Sequence, residues 1–143
     1  MRILIAEDDP VSRRVLEVCL LKWGHEVVVT SDGFQACEAL LREGAPRLAI
    51  LDWMMPGMDG TEVCRRVRGS PVGGPAYLIL LTAKGRKEDI VVGLGAGADD
   101  YVTKPFDHEE LRARVQVGLR VATLQNVLAD RVKELEESAA KVR

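Results

Sequence analysis

The chain has 143 residues, which is enough for one compact domain with its own core and too short for two large domains. Apolar residues make up 47% and charged residues 29%, and the formal net charge of −2 argues against a basic nucleic-acid-binding surface. The longest apolar runs fall far short of the roughly 20 residues of a membrane span, and the first one meets acidic residues too soon for a secretory signal. We therefore expect a cytoplasmic protein that contacts neither nucleic acid nor membrane. Its three cysteines, at 19, 37 and 64, lack metal-type spacing and are expected to be small buried side chains.

The first half of the chain alternates short apolar runs with helical patterns. A continuously apolar run predicts a strand at 2–6, and a β-branched run predicts another at 26–30. Helices are predicted from Pro10 or Val11 to Gly24 and over 34–42, and a third strand is predicted over 48–51. The first helix is indicated by apolar residues at helical spacing, namely Val11, Val15, Val18, Leu20 and Leu21.

The second half continues the same alternation. It predicts a loop over 53–60, a helix over 61–68, a strand over 77–81, a polar loop over 84–87, a weak helix over 88–95, a strand over 99–102 and a helix from Asp107 almost to the end. Continuously apolar strands that alternate with helices indicate a parallel sheet covered on both faces. The fold class is therefore α/β, an open doubly wound five-stranded sheet, in which ligands bind beyond the carboxyl ends of the strands.

Polar side chains collect at those carboxyl ends. Glu7, Asp8 and Asp9 follow the first strand, Asp52 follows the third, Thr82 ends the fourth, and Lys104 comes after the fifth. Each of these is commonplace alone, because acidic residues and threonines often cap helices. Crowded carboxylates repel one another unless a cation neutralises them, and Mg²⁺ suits a site with few carboxylates. With a carboxylate as nucleophile, the set has the parts needed for phosphoryl transfer.

At this point the sequence resembles the receiver domain of two-component response regulators over residues 1 to about 122. The resemblance rests on four segments: Ile3-Leu4-Ile5-Ala6-Glu7-Asp8-Asp9, 52–60 with its Asp-Trp-Met-Met-Pro-Gly-Met-Asp-Gly, Leu80-Leu81-Thr82-Ala83, and 97–106 ending in Thr-Lys-Pro-Phe. It implies a CheY-like fold with five helices and strand order 2-1-3-4-5.

The resemblance also implies residue roles. Asp52 is similar to the phosphoacceptor, and the Mg²⁺ ligands would be Asp52, Asp8, Glu7 (mostly through water) and the backbone carbonyl of Met54. Lys104 corresponds to the phosphate-contacting lysine. 

The implied readout is a switch pair, Thr82 and Tyr101. Together with the surface of the fourth helix, fifth strand and fifth helix, this pair would respond to the phosphoryl group. The bond before Pro105 is expected to be cis. A simpler interpretation of Tyr101 is an aromatic residue that only packs at the sheet edge.

The predicted function is a signalling switch rather than an enzyme, phosphorylated by a sensor histidine kinase or a phosphotransfer protein. A haloacid-dehalogenase-type phosphatase needs a second Asp two places after the nucleophile, where this chain has Met54. A flavin-binding protein would need a glycine- and hydroxyl-rich loop after the first strand. A receiver that has lost phosphorylation and serves as a scaffold is the remaining alternative. Met54 and Lys84 offer no group to position an attacking water, so we expect a long-lived phosphorylated form.

The last helix is longer than the domain requires. We predict a receiver over 1–120 and a helical stalk over 121–143, with apolar residues spaced 4, 3, 4, 4, 3, 4 and 3 apart at 117, 121, 124, 128, 132, 135, 139 and 142. This seam, with one stutter at 128–132, predicts a parallel coiled coil and a homodimer. A single solvated helix or a frayed tail is the alternative. The chain is expected to be a stand-alone receiver or the first part of a longer regulator.

Overall fold

The computed structural model describes residues 1–71, 74–83 and 87–142, with side chains omitted at 87–89 and 140–142, and shows five strands alternating with five helices. The strands are β1 Arg2–Ala6, β2 Glu26–Thr30, β3 Leu48–Asp52, β4 Tyr77–Thr82 and β5 Asp100–Thr103. The helices are α1 Pro10–Lys22, α2 Gly33–Leu40, α3 Gly60–Arg68, α4 Lys87–Gly95 and α5 His108–Val142. All strand pairs are parallel in the order β2-β1-β3-β4-β5, which confirms the predicted fold class.

The three central strands are buried on both faces of the sheet. In β3 and β4 every residue is buried, and Ile50 of β3 lies opposite Ile5 of β1 and Ile79 of β4. Alternate residues point to opposite faces of the sheet, so each strand contributes side chains to two cores. One core lies under α2 and α3 and contains Leu4, Leu51 and Leu80, whereas the other lies under α1 and α5 and contains Ile3, Ile5, Ile50, Leu16 and Leu111. This double burial explains why the strands lack an apolar–polar alternation.

Helix α1 forms as predicted, but most of its apolar period does not face the core. Leu16, Cys19 and Leu20 are buried, whereas the exposed fractions of Val11, Val15, Val18 and Leu21 lie between 41% and 72%. A narrow face of α1 contributes to the core on this side of the sheet. The helix therefore keeps an apolar stripe exposed on its outer side. All three cysteines are free and buried, as predicted.

Several boundaries differ slightly from the predictions. Helix α2 begins at Gly33, because the Asp32 carboxylate accepts a hydrogen bond from the Gln35 amide and caps the helix there. The helix ends at Leu40. Strand β5 begins at Asp100 rather than at Asp99. The Asp99 carboxylate accepts a hydrogen bond of 2.8 Å from the Leu78 amide, and the Asp99 amide donates one of 2.8 Å to the Leu78 carbonyl, so Asp99 joins β4 just before β5 begins.

Glycine at position 60 allows α3 to start against the end of β3. A Cβ there would lie 2.5 Å from the Asp52 carbonyl oxygen and 2.9 Å from Leu80 Cδ2. The Gly60 amide donates to the Trp53 carbonyl at 2.9 Å, and the Trp53 amide donates to the Leu81 carbonyl at 2.8 Å. These bonds fix the chain that follows β3 directly beside β4. No helix in the described part of the chain is long and apolar enough to span a membrane.

Candidate functional site

Three carboxylates converge at the carboxyl ends of β1 and β3. Glu7, Asp8 and Asp52 each offer an oxygen, and these oxygens all lie within 4.8 Å of one another. Glu7 and Asp52 are buried, with 1% and 6% of their surface exposed, whereas Asp8 faces solvent. Residues far apart in sequence meet here because parallel strands end at one edge of the sheet, as the sequence predicted.

Lys104 reaches into the same cluster from the chain after β5. Its Nζ lies 2.6 Å from Glu7 Oε2 and 3.1 Å from Asp52 Oδ1. Its backbone amide donates to the Thr82 carbonyl at 2.7 Å, and the following bond to Pro105 is cis, as expected. One ammonium group therefore bridges the two buried carboxylates.

The electrostatics of the cluster are set by burial and crowding. Burial, followed by the negative charge of Glu7, raises the pKa of Asp52 to about 6, and the Lys104 ammonium only partly offsets this. Burial alone would lower the pKa of Lys104, but its hydrogen bonds to Glu7 and Asp52, together with the negative charges of these two residues, raise it. The site holds more negative charge than one lysine neutralises, which favours an added cation.

Hydrogen bonds that involve the backbone hold Glu7 in position, whereas the neighbouring Asp9 caps a helix. The Asp9 amide donates to Glu7 Oε1 at 3.2 Å, and the Arg13 guanidinium donates to the Glu7 carbonyl at 3.1 Å. The Asp9 carboxylate accepts from the amide and hydroxyl of Ser12 at 3.0 and 2.7 Å and so caps α1. These bonds lower the pKa of Asp9. Asp9 is therefore the N-cap of α1.

The expected switch residues lie on the neighbouring strands β4 and β5, with Tyr101 two register positions before Thr82. Thr82 ends β4 and is buried, and Tyr101 lies half-buried on β5, where its register partner is Leu80. The Arg114 guanidinium carbon is 6.0 Å from the centre of the Tyr101 ring, and Arg114 also bonds the Asp100 carboxylate at 2.8 Å. The sequence did not reveal the contacts of Arg114, because an arginine that follows an acidic β5 residue by 14 positions is not a recognisable motif.

A second missed residue is Arg68 at the end of α3. Its guanidinium donates to the carbonyls of Gly97 at 2.8 Å and Gly74 at 2.7 Å, and it pairs with the Asp99 carboxylate. Arg68 thus ties together the end of α3, the connection to β4 and the turn before β5. No local motif marks it, because all its acceptors are distant in sequence or are backbone carbonyls.

The two positions expected to govern phosphoryl lifetime can be described only in part. The Met54 side chain is 61% exposed, whereas its neighbours Trp53 and Met55 are buried. Lys84 lies outside the described residues, as do 85 and 86. The roles assigned to Asp52, Glu7, Asp8, the Met54 carbonyl, Lys104, Thr82 and Tyr101 remain predictions, although the structure brings several of these residues together.

The donors fit a hard divalent cation. Three carboxylate oxygens within 4.8 Å, one residue exposed to solvent and a raised Asp52 pKa match the oxygen-rich, water-accessible sites that Mg²⁺ prefers. Glu7, Asp8 and Asp52 are the side chains that could hold it.

Crowding in this cluster predicts a pH dependence of stability. The folded-state pKa of Asp52, about 6, lies above the ordinary 3.8, so the folded state keeps this proton where the unfolded state has lost it. The stability contributed by this group is therefore present below about pH 4 and is lost as pH rises past 6. Without Mg²⁺, we expect Asp52→Asn to raise the Tm by roughly 3–8 °C at pH 7.5 and by much less at pH 4.5. Differential scanning calorimetry checks this, and an equal effect at both pH values would contradict it.

Comparison with known proteins agrees with this geometry. Residues 3–116 match the family described as "Response regulator receiver domain". Over 118 residues the chain is 46% identical to the transcriptional regulatory protein AfsQ1 of Streptomyces coelicolor, covering 82% of this chain and 51% of that protein. It is 47% identical over 119 residues to the DNA-binding response regulator MtrA of Mycolicibacterium smegmatis, covering 83% and 50%.

A solved structure shares the fold. It is the receiver domain of the sensor histidine kinase PA1611 from Pseudomonas aeruginosa, with a magnesium ion coordinated in the active-site cleft. Its TM-score is 0.76 at 33% identity, with coverage of 82% of this chain and 95% of that one. The chain belongs to the response regulator receiver domain family, whose acidic pocket binds Mg²⁺. The curated relatives AfsQ1 and MtrA are transcriptional or DNA-binding regulators rather than classical enzymes.

One expectation is wrong. The low net charge led us to predict no contact with nucleic acid, but AfsQ1 is a transcriptional regulatory protein and MtrA is a DNA-binding response regulator. The charge argument applies only to the surface of these 143 residues. Since the chain spans about half the length of these curated relatives, composition of this part cannot exclude nucleic-acid binding by the whole protein.

Proposed function

We propose that this chain is a phosphoryl-accepting receiver in which Asp52 takes the group from a phosphohistidine on a sensor histidine kinase or a phosphotransfer protein. The observation that carries the proposal is the buried cluster in which Lys104 Nζ lies 2.6 Å from Glu7 and 3.1 Å from Asp52, beside the exposed Asp8. A purely structural ion pair would not need a third carboxylate in an already crowded site. Membership in the receiver family adds support.

The chemistry follows from the positions of the groups. An Asp52 carboxylate oxygen attacks the phosphorus, and the phosphorus–nitrogen bond of the donor breaks. The electron pair of that bond stays on the nitrogen, and the donor leaves as a neutral imidazole that keeps the proton on its other ring nitrogen. With a pKa of about 6, Asp52 is mostly ionised at neutral pH and therefore nucleophilic. Lys104, already bonded to Asp52, can follow the transferred group and neutralise charge on its oxygens. Mg²⁺ held by Glu7, Asp8, Asp52 and the Met54 carbonyl would supply further charge neutralisation.

An apolar surface beside the acidic cluster supports the proposal that the phosphoryl donor is a protein. A cavity of about 360 Å³ is lined by Glu7 and Lys104 and also by apolar residues that include Val11, Val15 and Phe106. Val11 and Val15 belong to the exposed stripe of α1, which continues to Val18 and Leu21. An apolar stripe of this kind suits a helical protein partner that brings a phosphohistidine to the edge of the sheet.

The readout is proposed to pass from Thr82 to β5. A phosphoryl group adds nearly two negative charges and strong acceptor oxygens. The Thr82 hydroxyl would move toward it, and Tyr101 would take a new position that changes the surface of α4, β5 and α5. Arg114 contacts both the Tyr101 ring and the Asp100 carboxylate. Rotation of the ring would therefore cost free energy, because Arg114 would lose its contact with the ring.

The output is proposed to be control of transcription through DNA, as the names of the relatives suggest. The formal net charge of −2 over residues 1–143 does not itself suit DNA. In a longer protein of this kind, the DNA contacts would come from a part outside this chain.

The central test is incubation of the chain with Mg²⁺ and acetyl phosphate, followed by intact mass spectrometry. We expect a gain of one phosphoryl group, and no gain when a chelator removes the metal. Absence of a gain with the metal present would contradict the proposal and favour a scaffold that is not phosphorylated.

We further expect the phosphorylated form to be long-lived. The exposed thioether of Met54 cannot hold an attacking water, whereas an amide could. Met54→Asn should therefore shorten the half-life about tenfold, a typical effect of positioning one reactant. The decay of the phosphorylated form after removal of the donor measures this, with Met54→Leu as the control. A wild-type lifetime of seconds would contradict the expectation.

A further inference from the structure

Residues 123–139, the distal half of α5, carry apolar surface that no other described part of the chain covers. The early part of the helix packs on the sheet through Leu111 and Val115, and Ala122 is the last buried residue among the α5 side chains described, which reach position 139. Every side chain from 123 to 139 is exposed. The large apolar residues among them are more than half exposed: Leu124 64%, Val127 53%, Leu128 63%, Val132 52% and Leu135 69%.

These side chains follow an 11-residue repeat. Leu124 is repeated at Leu135, and Leu128 is repeated at Ala139. Eleven residues cover three turns at about 3.67 residues per turn, close to the 3.6 of a straight helix. The apolar stripe therefore stays on one side of α5 for about 22 Å without strong supercoiling.

The opposite side of the same segment is polar. Successive turns of that side present Asn126, Asp130, Lys133 and Glu137. A helix that is polar on one side and apolar on the other needs a partner for its apolar side. Val121, which the sequence seam included, already packs against the core under α1 and α5, so the free stripe begins at Leu124.

We propose that a second copy of this chain covers the stripe, with residues 124–139 of the two copies paired in parallel and in register. The flanking charges favour this partner. Arg131 and Glu136 lie on opposite flanks of the stripe, five residues apart, so each Arg131 would face the Glu136 of the other copy, twice per pair. Within one copy, Arg131 Nη1 lies 3.8 Å from Glu134 Oε2 in an exposed pair that costs little to give up.

This pairing depends only on the stripe and its flanking charges, so it goes beyond the proposed phosphoryl transfer and can fail separately. It is tested by analytical ultracentrifugation of residues 1–143. We expect a dimer, and we expect Leu128→Glu to raise its dissociation constant about a hundredfold or more, because two carboxylates would be buried in the seam. Asn126→Glu adds the same charge on the polar side and should leave the dissociation constant unchanged.

Thermal unfolding of both variants confirms that the receiver core is folded, which is expected because the two side chains are exposed in a single copy. A wild-type monomer at millimolar concentration, with and without Mg²⁺ and beryllofluoride, would overturn the proposal. So would equal effects of the two substitutions.

The orientation has its own test. Arg131→Glu places like charges opposite Glu136 and should weaken the dimer about tenfold, whereas Arg131→Glu combined with Glu136→Arg should restore it. Spin labels attached after Ser138→Cys should lie close together in a parallel pair. Labels about 20 Å or more apart, as in an antiparallel pair of this length, would overturn the parallel arrangement.

Discussion

Asp52→Asn is expected to abolish phosphorylation of the chain. An amide oxygen is a much weaker nucleophile than a carboxylate, and the amide removes one of the three carboxylates that could hold Mg²⁺. The fold should survive, since Lys104 keeps its bond of 2.6 Å to Glu7 and the substitution removes a charge that burial and Glu7 disfavour. Intact mass after incubation with acetyl phosphate and Mg²⁺ measures the result, and the expected incorporation is nil.

The matched control is Asp59→Asn in the loop after β3. Asp59 caps α3 by accepting from the Glu62 amide at 2.9 Å and from the Thr61 hydroxyl at 2.7 Å. Asparagine caps helices about as well as aspartate, so this variant should take up one phosphoryl group like the wild type. Incorporation into Asp52→Asn equal to that of the control would show that another residue is the acceptor.

Asp8→Asn is expected to weaken Mg²⁺ binding about a hundredfold or more. Glu7 and Asp52 are already bonded to Lys104, which leaves Asp8 as the carboxylate of the cluster that faces solvent. Its loss removes the charge that is most available to a cation arriving from water. Isothermal titration calorimetry with MgCl₂ measures the affinity, and the rate of phosphorylation at limiting Mg²⁺ should fall in parallel.

Asp9→Asn is the control for this second experiment, because it makes the same change one residue later. The Asp9 carboxylate is committed to the amide and hydroxyl of Ser12 and caps α1. Asparagine can keep that cap, so Mg²⁺ affinity should change little. A similar loss in both variants would mean that general negative charge, and not a ligand at position 8, determines Mg²⁺ affinity.

The fold was predictable because its signals are local. Continuously apolar runs such as 48–51 are typical of strands that are buried on both faces, between helices on the two sides of a parallel sheet. The strand order came from the resemblance rather than from periodicity. The apolar period of Val11, Val15 and Val18 correctly predicted the helix α1, although these residues face outward. A period shows that a stretch is helical but does not say which side meets the core.

The candidate site was predictable to a similar degree. Glu7, Asp8, Asp52 and Lys104 were all expected at one edge, because residues that follow parallel strands meet there. The contacts of Arg68 with Gly97 and Asp99, and of Arg114 with Asp100, were missed. Long flexible side chains choose acceptors by distance in space, which sequence spacing does not reveal. The expectation of no nucleic-acid contact was wrong because the net charge of these 143 residues describes only this part of a protein, whereas the relatives are about twice as long.

By itself the sequence determined the class of fold, the residues of the acidic cluster and the length of α5, since each depends on burial pattern or on position after a strand. Tertiary structure decided how the cluster is charged: Lys104 bridges Glu7 and Asp52, and burial raises the pKa of Asp52 to about 6. It also decided that α1 and the distal half of α5 keep apolar stripes exposed. The reason is that pairwise distances and solvent access, which set charge interactions and free surface, exist only once the chain has folded.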